Sequence, residues 1–118
     1  MDALALHHQG RYAEALALAQ QQGEPKAAAL ALLALGKLTE AAALLEAWQP
    51  REETESAERL ALLGFAAFQE GDHATYRRLA LAAAQLAQTP LTLHHLGLSL
   101  PPAEGLLALQ EAFQQLQA

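Results

Sequence analysis

The chain has 118 residues, of which Ala and Leu together supply 55, and it contains no Ile, Val, Asn or Cys. With Thr as the only β-branched residue the usual strand formers are missing, and the lack of Cys removes disulfides, thiolate metal sites and thiol nucleophiles. Seven Lys+Arg against thirteen Asp+Glu give a net charge of −6, whereas a nucleic-acid binder needs a basic face.

Because Ala and Leu lead the helix-propensity ranking, the composition predicts an all-α chain. Asp2 is placed to cap a first short helix that ends near Gly10. A second helix runs from Gly10-Arg11-Tyr12 to about Gln22 and stops at Gly23. Pro25 suits the first turn of a third helix, over Lys26 to Leu35, which Gly36 ends. Gly36-Lys37-Leu38-Thr39-Glu40-Ala41 opens a fourth helix that runs to about Trp48. It repeats the pattern of Gly10-Arg11-Tyr12-Ala13-Glu14-Ala15: Gly, basic, large apolar, any, Glu, Ala.

The polar run Gln49 to Ser56 leads into a fifth helix, expected from about Arg51 to Gln69, with Pro50 and the following acids suited to its N-terminus. Leu60, Leu63, Gly64 and Ala67 fall at i, i+3, i+4 and i+7 and are read as its packed face, with Leu60 and Leu63 in the core. Gly71 ends this helix in the left-handed region and Asp72 caps a sixth, Ala74 to Ala87. Thr89-Pro90 opens a seventh, and Pro101-Pro102 breaks it. An eighth is expected over 103–117. The eight helices pair as hairpins over 2–22, 25–48, 51–87 and 90–117, forming one domain over 1–118.

No apolar run is long enough to span a membrane, and the N-terminus lacks the basic start of a signal peptide. A cytoplasmic protein is expected, and its composition resembles that of a bacterium with a GC-rich genome. Beyond Leu79 the only charged side chains are Glu104 and Glu111, and so poorly charged a surface tends to associate.

Histidine is the one candidate for metal or acid–base chemistry. His7-His8 and His94-His95 are adjacent pairs that diverge on a helix, whereas zinc sites on helices use i, i+4 ligands and a third group. Surface or groove histidines are the plainer reading. The acids at 52, 53, 55 and 58 read as a solvated face, as does Arg77-Arg78, and Trp48 reads as a packing residue. No phosphate loop, nucleophile elbow or apolar carboxylate pair is present, so no enzyme, metal or cofactor is expected.

Leu60, Leu63-Gly64 and Ala83, then Leu96-Gly97, with Gly10, Tyr12 and Ala15 and with Gly36, Leu38 and Ala41, carry a resemblance to tetratricopeptide repeats. The two Leu-Gly pairs stand 33 residues apart (63 to 96), close to that family's 34-residue unit. The resemblance implies stacked hairpins in a superhelix, with a protein-binding groove lined by the first helix of each hairpin. The groove residues it implies are Lys26, Leu30 and Leu33, then Ala61, Phe65 and Phe68, then Leu91, His94 and Leu98. One Lys, no Arg and no Asn among them argue against a clamp for a peptide carboxylate and for an apolar or amphipathic helix as guest. The competing expectation is a groove filled by the last helix or by a second copy. Tyr76 stands where the family has Ala, which predicts a splayed third hairpin.

The sequence thus points to a non-enzymatic scaffold or interaction module with a protein or peptide partner, without nucleic acid or membrane. The alternative is a self-associating module, a homodimer or a piece of a larger bacterial regulator.

Overall fold

The structure, a computed structural model, describes residues 2–100, and all seven elements within them are helices. These are α1 (Ala3–His8), α2 (Tyr12–Gln22), α3 (Pro25–Ala34), α4 (Leu38–Ala47), α5 (Glu53–Gln69), α6 (His73–Leu86) and α7 (Pro90–Ser99). The helix expected over 103–117 lies outside the described residues. Contacts divide the chain between Gln49 and Pro50 into two compact units.

One turn recurs. Gly10, Gly23, Gly36 and Gly71 all have positive φ, between 66° and 95°, a region open to glycine because it has no Cβ. Each is followed by a residue whose N–H reaches back into the helix just ended: Arg11 to Leu6 O, Glu24 to Ala19 O, Lys37 to Leu32 O and Asp72 to Ala67 O, all at 2.9–3.0 Å. That residue is at once the N-cap of the next helix. The chain therefore reverses without an intervening loop, and consecutive helices fold into antiparallel hairpins.

In the first unit α2 packs on α1, α3 rests on both, and α4 packs on α3. Asp2 caps α1 by accepting from Ala5 N–H at 2.8 Å, which ties down a helix too short to persist alone. The core is thin. Ala3, Ala19, Ala27 and Ala28 are buried together with Leu16, Leu18 and Leu44 beside them, and Leu6, Ala15 and Ala31 form a second cluster.

The second unit is the hairpin α5–α6 with α7 laid against both of its helices. Asp72 caps α6 through Thr75 N–H at 3.1 Å. Its carboxyl is held below the ordinary value chiefly by the hydrogen bonds from Thr75. Thr89 caps α7 in a reciprocal arrangement: Thr92 N–H donates to Thr89 Oγ1 at 3.2 Å, and Thr89 N–H donates to Thr92 Oγ1 at 2.8 Å. Thr89 Oγ1 also donates to Glu58 of α5 at 3.2 Å, fixing the start of α7 to that helix.

Several boundaries and faces differ from the sequence reading. The helix α5 begins at Glu53, two residues after the expected start at about Arg51, because Glu52 is extended (φ −130°, ψ 160°) and serves as its N-cap. Its buried face is Ala57, Ala61, Leu62, Gly64 and Ala66, so Leu60 and Leu63 are only half-buried. Small residues win that face because they allow α6 to come close. A Cβ on Gly64 would stand 3.0 Å from Leu79 Cβ and 3.4 Å from Tyr76 Cδ1. Tyr76 accordingly does not splay the hairpin: its ring lies beside Gly64 and is only 2% exposed.

Candidate functional site

The helix α5 brings Phe65 and Phe68 to one side by their i, i+3 spacing, and the rings stack nearly parallel (11°) with centroids 6.1 Å apart. Tyr76, one turn into α6, meets Phe68 at 5.0 Å and Phe65 at 6.0 Å. From α7, the His95 ring lies 4.9 Å from that of Phe65. His73 stands edge-on to Phe68 at 4.9 Å, and His94 edge-on to His95 at 5.4 Å. Six rings from three helices thus form one cluster, exposed at Phe68, His73 and His94 and closed at Tyr76 and His95.

The closed end is polar and satisfied. Tyr76 Oη and His95 Nδ1 are hydrogen-bonded at 2.9 Å, both side chains buried. Burial, with a smaller contribution from His94, depresses the His95 pKa to about 4, and burial raises that of Tyr76 to about 12. Both groups are neutral at pH 7. Buried Thr92, one turn before His95, shares its one hydroxyl hydrogen between Ala87 O at 2.9 Å and Thr89 O at 3.2 Å and accepts from Thr89 N–H at 2.8 Å, so rotation of α7 would break these bonds together.

Of the groove residues expected from the sequence, the second unit brings Phe65, Phe68 and His94 into this ring cluster. Leu91 and Leu98 share the His94 face of α7 at i−3 and i+4. Phe68 is 37% and Leu98 52% exposed, His94 is exposed, and Phe65 and Leu91 are half-buried. Ala61 is fully buried, so its side chain offers a partner no surface. In the first unit Lys26 and Leu30 are half-buried on α3, and Leu33, 3% exposed, is likewise closed to a partner.

Tyr76, His73 and His95 escaped the sequence reading as members of the site. The local signals for them are weak: His94 and His95 are indistinguishable as neighbours, and only the partner on α6, 19 positions away, makes one of them a core residue.

The first unit has a smaller ring contact, His7 to Tyr12 at 5.1 Å. Burial and the neighbouring His8 lower the His7 pKa. Among the described residues no group of three His, Cys, Asp or Glu is placed to hold a metal ion, and no helix is long and apolar enough to cross a membrane. Comparison of the chain with protein-family models, with curated proteins and with solved structures finds no match.

Proposed function

We propose that this chain is a non-enzymatic, tetratricopeptide-like interaction module of the cytoplasm that receives an apolar or amphipathic helix of a partner protein. The receiving surface is the side of α5 and α7 that carries Phe65, Phe68, Leu91, His94 and Leu98. One observation carries the reading: Phe68 and His94 are exposed at the front of a ring cluster whose back is locked by the buried Tyr76–His95 bond. Rigid aromatic side chains held from behind lose little entropy on binding, which is what an interface anchor needs. The recurring glycine turn, and a third helix resting on both members of the preceding hairpin, support the repeat reading.

The test is a titration of the partner recovered with the full chain from its native host. Phe68→Glu and Leu98→Glu alter exposed side chains and are expected to weaken binding at least about tenfold, as loss of an interface anchor does. Phe65→Glu is the poorer probe because Phe65 packs on His95. Unchanged affinity in both exposed variants rejects this face.

A second reading, self-association as a homodimer or within a larger bacterial regulator, is favoured by a different observation. From Ala80 to Leu100 there is no Asp, Glu, Lys or Arg, while Leu81, Leu86 and Leu98 are 46%, 37% and 52% exposed. Sedimentation of the full chain at micromolar concentration separates the two, since a monomer removes the second.

A further inference from the structure

The outward side of α6 meets the ring cluster at His73 and is otherwise built differently. His73, Ala74, Arg77, Arg78 and Leu81 line an open depression of about 560 Å³. Ala74 and Leu81, the latter 46% exposed, are its apolar lining, and His73, Arg77 and Arg78 its polar lining. No acidic residue occurs anywhere in α6. In a chain with thirteen acids and seven Lys+Arg, two adjacent arginines on a helix without acids make a local reversal of charge.

The arginines are available and one is oriented. Arg77 Nε donates to Ser99 O, the last residue of α7, at 3.4 Å, which holds the side chain at the wall of the depression and leaves its other N–H groups free of that bond. Arg78 feels the Asp72 carboxylate, but both oxygens of Asp72 are engaged by Thr75. Neither guanidinium makes an ion pair with a carboxylate among the described residues.

We infer that this side of α6 docks an acidic amphipathic segment of a partner protein, its apolar residues on Ala74 and Leu81 and its carboxylates on Arg77 and Arg78. Charge complementarity selects the carboxylates. The apolar lining, with only two fixed positive charges, suits a peptide and not a nucleic-acid backbone, whose binding rests on neutralising many phosphates. The inference does not depend on the function proposed for the α5–α7 face.

The experiment measures binding of the full chain, by fluorescence anisotropy at low salt, to three labelled probes: a helical peptide of Leu, Ala and Glu, the same peptide with Lys for Glu, and a single-stranded oligonucleotide. The Glu peptide is expected to bind, to weaken as salt is raised, and to lose at least about tenfold in affinity to Arg78→Glu, which leaves the Arg77–Ser99 bond in place. Leu81→Gln is expected to weaken it by a smaller factor. Both positions are exposed, and an unchanged melting temperature verifies the fold. Failure of the Glu peptide to bind, equal binding of the Lys peptide, tighter binding of the oligonucleotide, or indifference to both variants overturns the inference. So does a gain in peptide affinity on Glu104→Gln/Glu111→Gln that exceeds the gain on Glu52→Gln/Glu53→Gln, which removes the same charge elsewhere, because the site would then belong to this chain's own C-terminal residues.

Discussion

Tyr76 of α6 and His95 of α7 meet through a 2.9 Å hydrogen bond inside a cluster of rings. Each is the other's polar partner in a place water does not reach. Removing one hydroxyl by Tyr76→Phe leaves Nδ1 of His95 buried and unpaired, at a cost of about 1–3 kcal/mol. His95→Phe strands the tyrosine hydroxyl in the same way. Urea unfolding of the two single variants and the double variant is expected to give a double variant less destabilised than the sum of the singles. An additive cycle would mean the bond contributes nothing.

The same pair makes stability depend on pH. His95 has a folded-state pKa of about 4 against an ordinary value of 6.5, so in the window between them only the unfolded chain takes up the proton. Stability from this group is complete above 6.5, falls as pH drops towards 4, and falls no further below that. The difference corresponds to about 3 kcal/mol across the window. His7 acts in the same direction within its own unit, whereas Asp72, whose carboxyl is held below 3.8, loses its contribution only at more acidic pH. Urea midpoints measured through the window should decline for the wild type and much less for Tyr76→Phe/His95→Phe. A wild-type midpoint that stays level would exclude a buried neutral His95.

Gly64 sets the distance between α5 and α6. With Leu79 Cβ only 3.0 Å from where a Cβ would stand, Gly64→Leu has to push the helices apart, costing about 1–3 kcal/mol through overpacking. Gly64→Ala is milder, since a gain of about 1 kcal/mol in helix propensity offsets part of the clash. Thermal melts should order the series wild type, Ala, Leu by increasing loss. A Leu variant that melts like wild type would show the approach to be slack.

At the start of α7, Thr92 is fully buried and its hydroxyl accepts from Thr89 N–H and donates to Ala87 O. Thr92→Val keeps the shape and removes all of these bonds, an expected loss of about 1–3 kcal/mol. Thr89→Ala, which deletes the other half of the cap and its bond to Glu58, should cost about 1 kcal/mol. Amide hydrogen exchange is the sharper readout: the first turn of α7 should lose protection while α2 and α3 keep theirs.

Helix ends could be read from the residues because few residue types can fill the special positions. Gly10, Gly23, Gly36 and Gly71 mark left-handed turns, Asp2, Asp72 and Thr89 supply capping oxygens, and Pro25 and Pro90 occupy first turns. Which side of α5 is buried could not be read. In a chain made so largely of Ala and Leu nearly every spacing is apolar, and large Leu60 and Leu63 outweigh Ala57 and Ala61 in any count of hydrophobicity. Packing inverts that ranking, because close helices reward the residue that takes least room. The ring cluster is less legible: the resemblance puts Phe65, Phe68 and His94 in a groove without implying that their rings meet, and His95 and Tyr76 join them only through a neighbour distant in sequence.

The alanine-lined interiors carry a thermal consequence. A buried Ala removes much less apolar surface from water than a buried Leu or Phe, and exposure of such surface is what raises heat capacity on unfolding. The heat-capacity increment measured by calorimetry should therefore fall below the roughly 12–15 cal/mol/K per residue of ordinary globular domains. The free-energy curve would be correspondingly flat, changing slowly as the protein is cooled.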